Sequence, residues 1–547
     1  MTSRYRNKLL TPVIWCILAT EFSERFCYYG FRGILTLYFT VDLGYDENRA
    51  IAMFALTTAL AYLSPMAGSL MADGHWGRYR TIMVFGSVYV IGMILLTAGA
   101  FLANSQQSQR GWTMVGLFLV CLGTGGIKPC VSSFGADQVG DATKQPQSTL
   151  SLDEMERNRL LGQHNLEPVI SRDEQVRAFF AYFYFSINFG ALSSLAIVPL
   201  VRSHYGFGMA FLIPTLFMIT AMALFVSMHG SYVHHVPESS LSDTFVLCWW
   251  LIKRNTCSYL PPPVQRIFPC LKEGPRPAQQ QDRHLAIPTH DHESDDGREQ
   301  DDGVFDQKLN DARQAVHILP IMTLLPIFWC LYDQQGSVWT LQATRMELNG
   351  LQPEQLNIVN PLQIMILIPL FDQSIYPWLE QRRVNIRPLR RMACGMLLAA
   401  GAFVISGWVE SAIQNREAEN APKLNVFWQI PQITLLSIAE ILVSVTGLEF
   451  AYATSPDRLK AFLMGLFLLT TSVGDFFSGF LYSTVFVNLN RATIMHICGS
   501  LMLGNLVLFA RVSWWWEEQE RRKQEKQSEN PSTFLDDGIE IQEQRAP

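Results

Sequence analysis

The stretch EFSERFCYYGFRGILTLYF, residues 21–39, sets two glutamates and two arginines in a segment otherwise apolar enough to cross a membrane. At 100° per residue, Glu21, Glu24, Arg25, Tyr28 and Arg32 fall within about an 80° arc of one helix face, while Phe22, Phe26 and Ile34 point elsewhere. The charges form a stripe. Facing lipid, each would cost about 2.5–3.5 kcal/mol even on a lenient insertion scale, so the stripe is expected to face water or partner charges inside a helix bundle. A set of ion pairs that only ties helices together is the plainer alternative, and buried pairs stabilise weakly compared with apolar contacts.

The chain around that stretch has a membrane composition. Of its 547 residues, 49% are hydrophobic and 16% charged, with a mean hydropathy of +0.13; soluble domains carry about a quarter charged residues. The formal net charge of −6 decides little, because placement matters more than the total in such a chain. The ten cysteines contain no CxxC pair: seven lie in or beside apolar runs, and Cys248, Cys257 and Cys270 share one polar loop. Neither a disulfide framework nor a metal site is expected. Arg4, Arg6 and Lys8 precede an apolar run that holds Glu21 and Glu24 and lacks a small-residue cleavage site, so no cleavable signal is expected.

Apolar runs near 20 residues mark spanning helices. Twelve are expected, at roughly 12–39, 50–73, 81–103, 112–133, 177–202, 207–229, 314–341, 356–380, 389–410, 425–454, 459–485 and 493–515. With the N-terminus placed in the cytoplasm, the connections after even-numbered spans hold Arg78 and Arg80, then Arg157, Arg159 and Arg172, then Arg382, Arg383, Arg387, Arg390 and Arg391, then Arg458 and Lys460. The opposite loops hold only scattered charges such as Arg110, Arg202, Arg345 and Arg416. This asymmetry follows the positive-inside rule and puts both termini in the cytoplasm.

The spans divide six and six. A first bundle at 1–229 carries a polar cytoplasmic insert at 136–176, and a second bundle occupies 314–516. Between them, residues 230–313 contain PPPVQ, GPRPAQQQ and the acidic run DHESDDGREQDD, so a largely disordered cytoplasmic linker is expected, with FVLCWWLIK (245–253) as a short interfacial helix. A disordered tail is expected over 517–547. This layout, with GSLMADGHWGRYR at 68–80, resembles the major facilitator superfamily, an all-α fold of twelve helices in two six-helix bundles.

Further polar residues interrupt the spans: Lys128 on the fourth, Asn188 on the fifth, Asp333 on the seventh, Asn360 and Asp372 on the eighth, and Glu440 on the tenth. Each needs water or a partner. The bases Arg25, Arg32 and Lys128 belong to the first half, and Asp333, Asp372 and Glu440 to the second. If they converge, a space between the halves has walls of opposite sign, which suits a zwitterion.

EFSERFCYYGFRGILTLYF, GTGGIKPCVSSFGADQ (123–138), FYFSINFGALSS (183–194), FWCLYDQQGSVWTLQATRM (328–346) and GLEFAYATSP (447–456) together resemble the proton-coupled oligopeptide transporter (POT) family, in its animal di- and tripeptide form. The resemblance implies symport of short peptides with protons, in a bilayer, with no cofactor and no enzymatic or nucleic-acid activity. It implies proton-coupling roles for Glu21, Glu24, Arg25, Lys128 and Glu440. It places the peptide carboxylate near Arg25, Arg32 and Lys128 and the amino group near Glu440 and Asn188. Tyr29, Tyr38, Tyr62, Tyr184, Trp329 and Asn360 match further cavity positions, and a monomer is expected to suffice.

Three departures qualify it. Ala55 stands where intestinal-type members have a histidine, and His317 where they have an arginine, so that His317 could pair with Asp372; His317, Asp333 and Asp372 are taken as gating or pairing groups. The large extracellular domain between the ninth and tenth spans is absent, with only about 411–424 there. The plasma membrane is the first expectation for location. The alternatives are an endolysosomal histidine and peptide symporter and a transporter-like sensor or scaffold acting through 230–313. An anion carrier would have little use for Glu440, and no HExxH or GxSxG marks an intramembrane enzyme.

Overall fold

The computed structural model describes residues 11–72, 76–102, 105–139, 172–233, 314–382, 387–455 and 460–529. Asp73 of the 68–80 motif, most of the insert and of the 230–313 linker with its FVLCWWLIK segment, and the tail beyond Glu529 lie outside the described residues.

Nine helices among the described residues are long and apolar enough to cross a membrane, and a tenth span is the pair Gln314–Met322 and Leu325–Thr344, bent by 44°. Helix Arg172–Ser227 breaks at Gly206, whose φ of 82° and ψ of 177° only glycine adopts readily; it therefore supplies two spans. Pro12–Leu37 is as long as the others, and only its charges set it apart. The twelve spans are α1 (Pro12–Leu37), α2 (Glu47–Met71), α3 (Gly77–Leu102), α4 (Gln106–Gln138), α5 (172–205), α6 (207–227), α7 (314–344), α8 (Pro353–Gln381), α9 (Pro388–Ala418), α10 (Val426–Ala453), α11 (Lys460–Phe480, continued by a π-helical turn Leu481–Val485) and α12 (Arg491–Glu529).

Local chemistry sets several starts. The Thr11 hydroxyl accepts from Ile14 N at 3.3 Å, with Pro12 opening α1; Asp46 and Ser105 cap α2 and α4 in the same way. Two sequence expectations are corrected. Helices α4 and α5 reach Gln138 and Arg172, so the polar insert is shorter than 136–176 at both ends. The expected disordered tail is helical from 517 to 529: that segment is rich in Glu, Gln, Lys and Arg, strong helix formers, and Glu518 pairs with Arg521 and Arg522 at 3.2 and 3.0 Å. Residues 419–425 join α9 to α10 directly.

Each half has its own apolar core. The halves meet where α1 ends and α2 begins, here named the upper face. There Leu37 and Ile51 of the first half join the core of the second. Thr36 donates to Gly336 O at 3.1 Å and Asn48 to Val487 O at 3.3 Å. Glu47 pairs with Arg491, and Arg202 with the fully buried Glu354 at 2.6 Å. Deeper, Ser472 of α11 donates to Ala59 O of α2 at 2.8 Å. At the lower face, where α1 begins, three ion pairs each lie within a half: Arg78–Asp137 in the first, Arg387–Glu517 and Arg391–Glu449 in the second.

Candidate functional site

The charged stripe of α1 faces the interior. Glu21, Glu24 and Arg25 are 5%, 1% and 6% exposed. Arg25 lies 3.2 Å from Glu21 and 2.5 Å from Glu24, while Glu24 Oε1 has no hydrogen-bond partner. The backbone approach that buries the stripe depends on small residues: a Cβ at Gly190 of α5 would stand 2.7 Å from Phe22 O, and the Ser194 hydroxyl donates to Phe26 O at 2.6 Å.

On α4, glycines act in the way the sequence implies. A Cβ at Gly125 would stand 2.5 Å from the α2 backbone at Ser64, and the Ser64 hydroxyl donates to Cys121 O at 2.6 Å. This close contact brings Lys128 over Tyr62, with Nζ 3.5 Å from the ring centroid. A cation over an aromatic face is favoured by the ring quadrupole. Lys128 lies within electrostatic reach of Arg25, Glu24, Arg32 and Asp333. One turn or two above, Arg32 crosses to the second half and donates to Asp333 Oδ1 at 2.9 Å, with its guanidinium 4.9 Å from the Phe54 ring.

In the second half, Glu440 of α10 accepts from Asn360 of α8 at 3.0 Å, and Asn360 also donates to Ser437 at 3.1 Å. Tyr332 of α7 is a further hydrogen-bond partner of Glu440. A π-helical turn, Ile441–Val445, follows Glu440 directly; such turns gather at functional sites. Tyr29 of α1 links the walls, lying within electrostatic reach of Arg25, Arg32 and Glu440. Tyr184 of α5, 58% exposed, faces Glu440 and Tyr29. Tyr29, Lys128, Tyr62, Tyr332 and Glu440 are all part-exposed, unlike Glu21, Glu24 and Arg25.

Other expected residues sit differently. Tyr38 is fully buried in the first-half core, its hydroxyl 3.1 Å from Thr113 and its ring against Phe211, so it stands apart from the converging groups. Asn188 donates to Tyr184 O on its own helix at 2.8 Å. Trp329 donates to Thr470 at 3.1 Å and ties α7 to α11. Ala55 is 4% exposed, and a Cβ at Gly479 would stand 3.8 Å from its own, so that position is a helix contact. The expected pairing of His317 with Asp372 is corrected. His317 stacks on Trp515, meets Trp516 edge-on and lies 3.9 Å from Glu520, because α12 continues beyond residue 517 and carries Glu520 there; Asp372 is exposed on α8.

Sequence reasoning passed over Tyr332, which no charge flags, and Asp475 of α11, which is fully buried and lies beside Asp333 and within reach of Arg32 and Lys128. The signal for Asp475 was present: a lone acid in the apolar run TTSVGDFFSGF, on the rule that picked out Glu440.

Two six-helix bundles, sealed at one face and meeting around charges at mid-depth, define a membrane protein of the major facilitator superfamily fold. A POT family model matches residues 79–495, and the chain belongs to the POT family. It is 32% identical to solute carrier family 15 member 2 of Homo sapiens over 79% of this chain and 53% of the relative, and 32% identical to peptide transporter family 1 of Drosophila melanogaster over 74% and 48%. The chain thus spans about half the length of the curated relatives it matches. Among solved structures it is similar to the POT family transporter PepTSo, at a TM-score of 0.69 and 26% identity, covering 93% of this chain and 99% of that one.

Proposed function

We propose that the protein carries di- and tripeptides across a membrane together with protons, exposing its central groups alternately to either side. The observation that carries this reading is Tyr29, within reach of Arg25 and Arg32 on one wall and of Glu440 on the other. A short peptide is a zwitterion whose termini are common to all sequences. Its carboxylate suits Arg25 and Lys128, and its ammonium suits Glu440. Membership of the POT family and the likeness to peptide transporter family 1 of Drosophila melanogaster support the same reading.

Proton coupling follows from competition for Arg25. In this state Glu21 and Glu24 occupy the guanidinium. A proton on either glutamate removes its claim and releases the base to the peptide carboxylate. Unloading restores the pair and lets the empty carrier reorient. One proton moving down about 100 mV gains about 2.3 kcal/mol, and one pH unit adds about 1.4 kcal/mol. Together they sustain about several-hundred-fold accumulation. No cofactor enters this cycle, and the groups it uses come from one chain, so a monomer suffices.

With both termini placed in the cytoplasm, the reading the arginine distribution supports, the upper face, where the halves are joined, looks away from it. The plasma membrane is the proposed location, with an endolysosomal membrane as the alternative. The test is uptake of a labelled dipeptide into proteoliposomes holding the full chain, with imposed pH and voltage gradients. Concentrative uptake that either gradient drives and a protonophore abolishes is expected. Uptake that ignores both gradients, or none at all, overturns the proposal.

A further inference from the structure

The mechanism above leaves the buried Asp475 unused. Asp475 is 0% exposed. It is held in the seam by its neighbours: Ser472 donates to Ala59 O of α2, and a Cβ at Gly474 would collide with Pro326 O of α7, so α11 lies tight against both helices. Its carboxyl is within hydrogen-bonding reach of Asp333. Ionised carboxylates only accept, and Asp333 Oδ2 and both Asp475 oxygens lack a donor. A second buried negative charge without a donor is strongly unfavourable.

The other groups that face the pair do not remove the difficulty. Arg32 of α1 spends a 2.9 Å bond on Asp333 Oδ1. Lys128 of α4 is within electrostatic reach, but over Tyr62. From α7, Cys330 faces Asp475 and contributes no cation. Tyr62 of α2 and Tyr28 of α1 face Asp333 and Arg32. Glu440 adds a further negative charge facing Asp333. From α12, Cys498 borders Cys330 and Gln334.

We propose that Asp475 and Asp333 share one proton and form a second protonation site, separate from Glu21 and Glu24, that locks the upper face shut. The proton comes from solution at that face while it is open. It sits on Asp475, whose O–H donates to Asp333 Oδ2, and returns to solution when the pair is hydrated again. The protonated pair carries a single negative charge, which the Arg32 guanidinium balances, so the seam closes without a stranded charge. Two carboxyls in contact commonly hold one proton between them. Because the closed seam holds the proton more tightly than the hydrated open one, proton binding favours closure by at most about tenfold per pH unit. The inference rests on the transport reading only for which side supplies the proton.

The test uses the full chain in nanodiscs without peptide. Hydrogen–deuterium exchange is followed in segments 32–45 and 333–346, corrected for intrinsic rates, between pH 5.5 and 7.5. Protection in the wild type is expected to rise as pH falls, by up to about tenfold per unit. Asp475→Asn, which supplies an amide donor but cannot titrate, is expected to stay protected across the range. The infrared carbonyl band of a protonated carboxylic acid should be present in the wild type and lost in Asp475→Asn. A wild type whose protection does not change with pH, or an Asp475→Asn protein that keeps the wild-type pH response, overturns the proposal. Both readouts omit peptide, so they stand or fall independently of dipeptide transport.

Discussion

The two bundles hold their central charges in opposite ways. In the first half, charge meets charge: Arg25 is gripped by Glu21 and Glu24 at 3.2 and 2.5 Å. In the second half, Glu440 is held by neutral donors, Asn360 and Tyr332. A base held by acids can change partner whenever a proton or another carboxylate arrives. A carboxyl held by neutral donors has no buried base to compete with for a cationic ligand. On the proposed cycle, the first wall serves exchange and the second recognition.

Substitutions can break that contrast. The largest effect is expected from Glu24→Gln. Proton-driven dipeptide uptake in proteoliposomes should fall by about 100-fold, the equivalent of about 2.7 kcal/mol, while peptide counterflow persists. Proton-driven uptake that survives undiminished would refute an exchange role for this residue. Lys128→Gln is expected next, lowering peptide affinity by about 10- to 100-fold, in line with the loss of one charge-assisted bond, as measured by competition with labelled dipeptide. Glu440→Gln sharpens the recognition side. Affinity for a free dipeptide should drop by about tenfold, and that for its N-acetylated form should not change. Equal losses for both would mean that Glu440 does not read the ammonium. The smallest effect is expected from Tyr38→Phe, which removes the bond to Thr113. It should cost about 1 kcal/mol in thermal stability and leave uptake unchanged, because the ring lies in the first-half core.

The seam at the upper face offers a contrast with the lower face as well. Arg202 and Glu354 lie on different halves and are largely buried, whereas the lower-face pairs named above each stay within one half. Opening the upper face must therefore separate buried charges, whereas the lower-face pairs named above can stay intact. Removing one partner of a buried pair typically costs about 3–5 kcal/mol.

Much of the fold was legible because its determinants are local. Twenty apolar residues suffice to mark a span, and arginines between spans mark a side. The exception was equally local. The break at Gly206 falls between the two spans expected at 177–202 and 207–229, whereas the Glu–Arg pairing after Glu517 extends α12 where polarity alone reads as a tail. The candidate site was legible as a set of types, since an ionisable residue in a span must find water or a partner. Its pairings were not. His317 reached Glu520 rather than Asp372 because α12 ran on. Tyr38, drawn in by resemblance, went to the core.

The sequence by itself determined how many times the chain crosses and that the charges of α1 cannot face lipid. These follow from the free energy of moving each residue into hydrocarbon, which depends on that residue and its near neighbours. Only the tertiary structure decided which charges meet. Arg32 and Asp333 are 301 residues apart, and Asp475 lies still further along the chain. Electrostatic contact depends on distance in space, which bundle geometry sets and the order of residues does not display.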